Sequence, residues 1–357
     1  MGGGQRDPRR APRGSRVALF ARYELRAAAG NAVAARALIE GLEVRGLEVR
    51  FVGPSDDWRD GAEAPDLCHA LHAGPSASAA RACAEASGAP LVITVTGTDL
   101  EDWTDEVDGN LGRAHAIIAL SAHQEAALVR AGLGNRVVRI AQGLDLDRLG
   151  QLVEGAGGGE LESLGGLPAQ ARVAVLLAGL RPVKDLHMAL DAFARLASSS
   201  GAGAAWRLLI AGDVVDAEYA AGVARRVDEM TNVVLLDTLP HDMALCTLAR
   251  ADVALNTSVT EGESRTILEA LALGVPVVAR DNAGNHQLLA GVEEGRLFRT
   301  AEELAAILEE MEQPVEGPGE QARRSGRAAP GVTALLRPTL ADEIAAHIEL
   351  YDRLLAR

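Results

Sequence analysis

The sequence NTSVTEGESRTILEALALGVPVVARDNAGN, residues 256–285, is the most informative part of the chain. Its pattern predicts the end of a strand, a glycine turn, a helix that begins near Ser264, a second strand and a second glycine turn. Glu261 and Glu269 lie eight positions apart, so two carboxylates flank the N-terminus of that helix. Unpaired backbone amides and the positive end of the helix dipole favour a phosphate there. Because a glutamate inside such a helix can also accept hydrogen bonds from ribose hydroxyls, the stretch predicts a nucleotide-binding site.

Short apolar segments alternate with helical ones on both sides of this stretch. Strands of the first half are predicted at residues 16–20, 47–52, 66–71, 90–97, 116–121 and 137–143, and a new series starts at Arg172. Strands that alternate with helices form parallel sheets covered on both faces. The sequence therefore predicts an α/β fold of two Rossmann-like domains with a cleft between them.

Composition marks the boundaries of these domains. Three segments are rich in Gly, Pro or Arg, as is typical of tails, linkers and loops. The predicted order is a disordered tail at 1–14, an N-terminal domain at 15–149, a linker at 150–171, a C-terminal domain at 172–312, a flexible loop at 313–338 and a last helix at 339–357.

Charge and composition exclude several classes of protein. The net charge of −15 argues against nucleic acid or an anionic membrane surface as the main partner. Cys68, Cys83 and Cys246 are an odd number without metal-ligand spacing, so we expect buried thiols in a reducing compartment. No apolar run approaches the roughly 20 residues that span a bilayer, and no signal-peptide core precedes Val17. We therefore expect a cytoplasmic protein without integral membrane contact.

Several motifs resemble one enzyme family. The Glu-x7-Glu spacing, the apolar LALGVPVVA segment and the GN turn resemble group 1 glycosyltransferases of family 4, which have the GT-B fold. The segments ALHAGPSAS, TGTD and GLRPVKD resemble two subgroups, the selenosugar synthases and, more closely, the eukaryotic glycosyltransferase 1 domain-containing proteins. The resemblance implies retaining transfer of a sugar from a nucleotide-diphosphate sugar, with a UDP-sugar as the expected donor and no metal or other cofactor.

The resemblance also assigns roles to the two halves of the chain. It implies that the N-terminal domain binds the acceptor, that the C-terminal domain binds the donor, and that the last helix packs back on the N-terminal domain. A content of aromatic residues of 3% offers few surfaces on which a carbohydrate polymer could stack, which favours a small-molecule acceptor.

The segment GLRPVKD, residues 179–185, directly follows the apolar segment VAVLLA. Arg181 and Lys184 should therefore emerge at the carboxyl end of a strand, where cations can stabilise a departing diphosphate. The resemblance implies that this pair binds the diphosphate, that Glu269 binds the ribose hydroxyls and that Glu261 contacts the sugar. A surface Arg and Lys in a loop is the alternative interpretation.

The resemblance implies further site residues. His72, at the end of a strand, is expected to contact the transferred sugar, although a lone histidine is more often structural. The other expected donor-binding residues are Gly30, Asn31, Gly212, Leu239, Gly262, Ser264, Arg265 and Ile267. Thr96, Gly97, Asp99 and Asn285 are expected to contact the sugar or the acceptor. Many family members have a histidine where Thr96 stands, so that histidine's role does not transfer, and a helix-capping turn explains Gly30 and Asn31 equally well.

Three other functions fit the same motifs. A selenosugar synthase would use a UDP-sugar with selenophosphate as acceptor, and a sugar-nucleotide epimerase would form its product without an acceptor. A non-catalytic nucleotide-sugar-binding protein would keep the donor pocket without turnover. An NAD-dependent dehydrogenase is disfavoured, because no G-x-G-x-x-G follows either first strand.

Overall fold

The computed structural model describes residues 14–27, 30–60, 63–100, 103–155, 171–198, 206–311 and 338–356. These residues form two compact units. The described residues up to Leu144, together with those from Pro338 onward, make the first unit, and those from Asp145 to Met311 make the second. Nearly all of the predicted tail at 1–14 and of the predicted loop at 313–338 lies outside the described residues.

Within the described residues, the first unit contains a six-stranded parallel sheet in the order β2-β1-β3-β4-β5-β6. Its strands are β1 (Arg16–Ala21), β2 (Glu48–Val52), β3 (Leu67–Leu71), β4 (Leu91–Val95), β5 (Ala116–Ala119) and β6 (Val137–Arg139). Its helices are α1 (Gly30–Val44), α2 (Pro75–Ser87), α3 (Asp105–Arg113), α4 (Ala122–Arg130) and the C-terminal helix (Leu340–Leu355).

Successive residues of β1 enter different apolar layers, because side chains alternate across a strand. Leu19 packs in a layer that includes Leu42 of α1 and Tyr351 of the C-terminal helix. Phe20 packs in the other layer, which includes Ala77 of α2. A central strand that is apolar on both faces is typical of a parallel sheet covered by helices.

The described part of the second unit repeats this architecture in the order β12-β11-β10-β7-β8-β9. Its strands are β7 (Arg172–Leu177), β8 (Trp206–Ala211), β9 (Val233–Leu235), β10 (Val253–Asn256), β11 (Val277–Arg280) and β12 (Gly295–Phe298). Its helices are α5 (Leu146–Gly155), α6 (Leu186–Ser198), α7 (Ala217–Asp228), α8 (His241–Ala249), α9 (Arg265–Ala272), α10 (Ala283–Leu289) and α11 (Ala301–Met311).

Each sheet has one place where the strand order changes direction. It lies between β1 and β3 in the first sheet and between β7 and β10 in the second. Open α/β sheets bind ligands at the carboxyl ends of the strands that flank such a place. In the second sheet these ends are followed by Lys184 and Glu261, and in the first sheet β3 is followed by His72.

Two predictions about local structure are wrong. Residues 150–155, predicted as the start of the linker, complete helix α5, and the rest of that segment up to residue 170 lies outside the described residues. The predicted GN turn is the first turn of α10, whereas Gly30 and Asn31 begin α1, as the helix-capping interpretation expects. In α10 the Asn282 side chain caps the helix by accepting from the Asn285 amide at 2.9 Å. The cap makes this polar, glycine-containing segment helical.

Among the described helices, none combines the length and the apolar character needed to cross a membrane.

Candidate active site

Hydrogen bonds join the loop after β7, residues 178–185, to the loop after β10, residues 257–264. The Thr257 hydroxyl donates to the Lys184 carbonyl oxygen at 2.7 Å, and the Val259 amide donates to the Val183 carbonyl oxygen at 2.9 Å. Both bonds act next to the Lys184 side chain. They therefore fix the backbone of Lys184 beside the second loop.

Glu261 accepts from three side chains through one oxygen. Nζ of Lys184 lies 2.5 Å from Glu261 Oε1, and Ser258 Oγ and Asn256 Nδ2 donate to the same atom at 2.7 and 3.2 Å. From the described part of the chain, Oε2 receives no hydrogen bond. Burial alone would raise the pKa of the Glu261 carboxyl, but the Lys184 ammonium and the two hydrogen bonds outweigh it and hold the pKa below its ordinary value. Glu261 is therefore a carboxylate at neutral pH.

A small cavity of about 30 Å³ lies beside this ion pair. Three residues that the sequence predicted, Lys184, Glu261 and Ser264, line it together with Asn256 and Thr266. This volume suits one or two water molecules and is far too small for a sugar. The cavity therefore shows that the predicted side chains meet, and it is not itself a ligand pocket.

Helix α9 begins where the sequence predicted. Ser264 is its N-cap residue, but the Ser264 side chain makes no capping bond to the helix and instead accepts from Asn256 Nδ2 at 3.1 Å. The amides of the first helical turn therefore receive no side-chain cap, which suits the predicted phosphate. The Ile267 side chain is buried, so only its backbone could contribute to a ligand site.

Glu269 lies in the second turn of α9 and is almost fully buried. Nε2 of His241, the first residue of α8, lies 2.9 Å from Glu269 Oε1, and Arg265 Nε lies 3.0 Å from the same oxygen. Within the described residues, neither bond nor any other reaches Glu269 Oε2. Glu269 thus repeats the arrangement seen at Glu261, in which one oxygen is fully engaged and the other is not.

Asn285 is fully buried and contacts Glu261 indirectly, through the Asn256 side chain. Its Nδ2 atom donates to Asn256 Oδ1 at 3.1 Å and to the Arg280 carbonyl at 3.0 Å. Because Asn256 in turn donates to Glu261, Asn285 reaches the carboxylate through another side chain.

A glycine at position 284 allows α10 to approach the loop of Glu261. A Cβ atom on Gly284 would lie 2.1 Å from the Glu261 carbonyl oxygen and 3.0 Å from that of Gly262. Real Cβ atoms do not come this close to backbone oxygens, so any larger residue would displace the loop.

Other residues predicted to bind the donor follow neighbouring strands of the second sheet. Arg181 lies in loop 178–185, and its guanidinium forms no ion pair with any other residue that the structure describes. Gly212 follows β8, and a Cβ atom there would lie 2.0 Å from the Ala178 carbonyl oxygen. Leu239 is half-buried in the segment before α8.

In the first unit, His72 and Asp99 follow the neighbouring strands β3 and β4. His72 has φ of 129°, which is rare for a residue other than glycine and common at functional sites. The Gly74 amide donates to His72 Nδ1 at 2.9 Å, so a neutral ring carries its proton on Nε2. Asp99 is buried, accepts from the amides of Ala73 and Thr96 at 2.8 and 3.0 Å, and lies 3.9 Å from His72 Nδ1. His72, Thr96 and Asp99 therefore form one cluster.

Gly97 and Asn110 shape the backbone of this cluster. Gly97 has φ of 123°, a conformation that glycine adopts without strain. Asn110 in α3 is fully buried and donates through Nδ2 to the carbonyl oxygens of Ala73 and Gly74 at 2.9 and 3.2 Å. Asn110 thereby holds the segment that follows His72.

Several of these residues were not predicted from the sequence as site residues. Asn256 and Ser258 stand at the carboxyl end of a predicted strand, the same signal that marks Arg181 and Lys184. His241 and Asn110 carry no such signal, because their partners lie 28 residues away or more along the chain. Among the described residues, no group of three His, Cys, Asp or Glu side chains could hold a metal ion.

Comparison with known sequences supports the second unit most strongly. Residues 171–313 match the family model described as "Glycosyl transferases group 1". The chain is 32% identical to Glycosyltransferase 1 domain-containing protein 1 of Xenopus tropicalis over 140 residues, which cover 37% of this chain and 38% of that protein. It is 28% identical to the putative teichuronic acid biosynthesis glycosyltransferase TuaC of Bacillus subtilis over 228 residues, 62% of this chain and 54% of the relative. The matches thus span about half or less of these relatives.

Comparison of structures extends over nearly the whole chain. The crystal structure of Alr3699/HepE from Anabaena in complex with UDP and glucose matches with a TM-score of 0.71 and 18% identity, covering 95% of this chain and all of that one. At this identity the match shows the fold alone. It confirms the predicted α/β fold of the GT-B class.

Proposed function

We propose that the protein is a retaining glycosyltransferase, from the premise that residues 171–313 match the family model of group 1 glycosyltransferases. It transfers a sugar from a nucleotide-diphosphate sugar, with a UDP-sugar as the expected donor, to a small-molecule acceptor. The Anabaena structure is a complex with UDP, which supports the choice of base. The TuaC relative, named as a glycosyltransferase, supports the reaction class.

One observation carries this proposal. Two carboxylates, Glu261 and Glu269, flank the start of α9, and each is neutralised on Oε1 while Oε2 receives no described bond. A carboxylate that is already paired with Lys184 or Arg265 attracts a further cation weakly, but it still accepts hydrogen bonds from hydroxyl groups. Two such acceptors beside a helix N-terminus fit a ligand that carries hydroxyls at both ends of a phosphate group.

Each end of a nucleotide sugar has a partner in this arrangement. Glu269 accepts from the ribose hydroxyls, the first-turn amides of α9 donate to a phosphate or to the edge of the sugar, and Glu261 Oε2 accepts from a sugar hydroxyl. Lys184 and Arg181 face the diphosphate. In the first unit, His72 donates from Nε2 to the transferred sugar, since Nδ1 already accepts from Gly74.

The chemical step needs stabilisation of the leaving group. The bond between the anomeric carbon and the diphosphate oxygen breaks, and its electron pair remains on that oxygen. The fixed charges of Arg181 and Lys184 stabilise the developing negative charge. The acceptor oxygen then bonds to the anomeric carbon on the face that the diphosphate leaves, and its proton passes to the departing phosphate, so the configuration is retained.

A binding and product screen tests the proposal. The purified chain is tested with UDP-, GDP- and ADP-sugars by thermal shift and by analysis of products, beside Glu269→Ala and Arg181→Ala. We expect one nucleotide sugar to raise the Tm of the unaltered chain, and both substitutions to abolish that rise. Absence of stabilisation by every donor, with the chain folded, would contradict the proposal, and binding without any turnover would assign a binding protein instead.

A further inference from the structure

Glu269 is held from two separate helices. Arg265 lies one turn earlier on the same helix, α9, and reaches Oε1 at 3.0 Å, while His241 at the start of α8 reaches the same oxygen at 2.9 Å. A single donor would leave the carboxylate free to turn about its last side-chain bond. Two donors on one oxygen from different directions fix the plane of the carboxylate, and they thereby fix the direction of Oε2.

Neutralising Glu269 does not require His241. Arg265 is always charged and lies in the i,i+4 position that favours an ion pair on a helix. The His241 ring can donate from Nε2 whether it is neutral or protonated. His241 therefore fixes the orientation of the Glu269 carboxylate and is not needed to neutralise its charge.

The exposure of the three side chains supports a role at a ligand site. The side chain of Glu269 is 7% exposed, those of Arg265 and His241 12% and 21%. Glu269 Oε2 receives no hydrogen bond from the described residues, yet it is not one of the fully buried side-chain oxygens that lack a partner there. Hydroxyl groups of a ligand can therefore reach that oxygen and donate to it.

We propose that His241 is a positioning residue that orients Glu269 towards the ribose diol of the donor and thereby sets the preference for ribose over deoxyribose. This inference rests on the proposed function, since it assigns Glu269 to the ribose. It adds a residue outside the Glu-x7-Glu segment, on a different helix, to the recognition of the nucleotide.

The experiment measures discrimination between two sugars of the nucleotide. The dissociation constants of UDP and 2′-deoxy-UDP are measured by calorimetry, and GDP or ADP with its 2′-deoxy form is used if the screen above selects that base. The variants are His241→Ala, His241→Gln, which keeps a donor near the position of Nε2, and Asp242→Asn. Asp242 pairs with exposed Arg148 and not with Glu269, so its variant is a control on the same helical turn.

We expect the unaltered chain to prefer the ribonucleotide by about tenfold, the value of one hydrogen bond to a charged group. His241→Ala should reduce this preference to about threefold or less, and His241→Gln and Asp242→Asn should retain most of it. A purely structural role for His241 would lower the Tm and weaken both ligands equally.

The outcomes separate this inference from the proposed function. If the unaltered chain binds neither UDP, GDP nor ADP, both fail. If it binds one of them and either shows no ribose preference or keeps its full preference in His241→Ala, only the inference about His241 is overturned. If His241→Ala does not fold, His241→Leu is measured at lower temperature and compared with His241→Gln. Equal preference for the ribonucleotide in both variants and in the unaltered chain overturns the inference.

Discussion

At the scale of single residues, Lys184 and Arg181 are two cations of one loop that differ in whether they form an ion pair with the described residues. Lys184 is paired with Glu261 at 2.5 Å and is mostly buried, whereas Arg181 forms no ion pair with the described residues. Removing Lys184 leaves the Glu261 carboxylate without its cation, whereas removing Arg181 breaks no ion pair among the described residues. The two positions should therefore separate stability from activity.

Replacement of Lys184 should damage both properties. Lys184→Ala should lower the free energy of unfolding by about 2–3 kcal/mol, because Glu261 keeps its burial and loses its cation. It should lower kcat about 100-fold or more. Chemical denaturation and initial rates measure the two effects. The double variant Lys184→Ala with Glu261→Gln should regain most of the stability and none of the activity, and equal instability of both variants would contradict the role of the ion pair.

Replacement of Arg181 should damage activity alone. Arg181→Ala should change the free energy of unfolding by less than about 0.5 kcal/mol, as is usual for a side chain that forms no ion pair, and Arg181 forms none with the described residues. Its kcat should fall about 100-fold, because the leaving diphosphate loses a fixed charge. The same denaturation and rate measurements apply. An unchanged kcat would remove Arg181 from the site.

We propose that these two side chains supply the positive charge at the diphosphate, and we therefore expect transfer to proceed without a divalent metal. Activity in excess EDTA should match activity in added Mg²⁺ or Mn²⁺ within about twofold, since Lys and Arg can stabilise phosphate charge directly. A rate that collapses with EDTA and returns with one metal would show that the leaving group needs an additional cation.

The sequence predicted these residues because their position depends on local pattern. Lys184 and Glu261 each follow an apolar strand, and the carboxyl ends of neighbouring parallel strands meet at one edge of a sheet. His241 could not be predicted in this way. Its contact with Glu269 depends on how helices α8 and α9 pack, and that packing depends on the whole unit. Asn285 was placed in a turn because the sequence AGN contains a glycine, whereas the Asn282 cap makes that segment helical.

At the scale of elements, Gly284 controls the distance between α10 and the loop of Glu261. Gly284→Ala should lower the free energy of unfolding by about 1–3 kcal/mol and lower kcat, because a Cβ atom 2.1 Å from the Glu261 carbonyl forces the loop to move. Gly150→Ala is the control, since no atom lies within 4 Å of a Cβ built there and helix α5 gains a better helix former. Thermal unfolding and rates measure both, and a Gly284→Ala variant with full activity would refute this role.

The C-terminal helix attaches to the first unit through buried polar groups. His69 of β3 lies 2.6 Å from the Tyr351 hydroxyl through Nδ1 and 2.7 Å from Thr94 Oγ1 through Nε2. His347 donates from Nδ1 to the Glu343 carbonyl oxygen at 2.9 Å, and its ring lies 5.7 Å from that of His69. Burial, with a smaller contribution from His347, holds the pKa of His69 well below its usual range. Burial also lowers the pKa of His347 to about 4, although its bond to the Glu343 carbonyl opposes the shift.

The first unit should therefore lose stability in mild acid. In the unfolded chain the histidines bind protons near pH 6.5, but the folded chain resists protonation until about pH 4 at His347, so the unfolded state binds more protons between these values. As the pH falls from about 6.5 to about 4, the free energy of unfolding should decrease by roughly 3 kcal/mol from His347 alone. Urea denaturation at several pH values measures this. His347→Leu should show a weaker dependence, and an unchanged slope would contradict the assignment.

At the scale of the whole molecule, the two units show which parts of the fold the sequence pattern predicts and which it does not. Alternation of strands and helices predicted both sheets, because the apolar runs of β1 and β7 reflect burial on two faces. Strand β12 was missed, because GRLF contains only two apolar residues and has no alternation. In the second unit Lys184 and Glu261 meet at the change in strand order, which the sequence could locate only approximately, since order within a sheet depends on which distant strands pair.

The C-terminal helix belongs to the first unit but is synthesised after the whole second unit. It covers an apolar layer of the first unit, where a Cβ atom on Gly41 of α1 would lie 2.4 Å from Ile344, yet residues 145–337 are made before it. Domains usually fold as they leave the ribosome, starting from the N-terminus. Here the second unit has its whole chain available first, while one face of the first sheet is covered only in part, by α1. A nascent chain of this protein therefore presents its earliest-made surface to chaperones for longest.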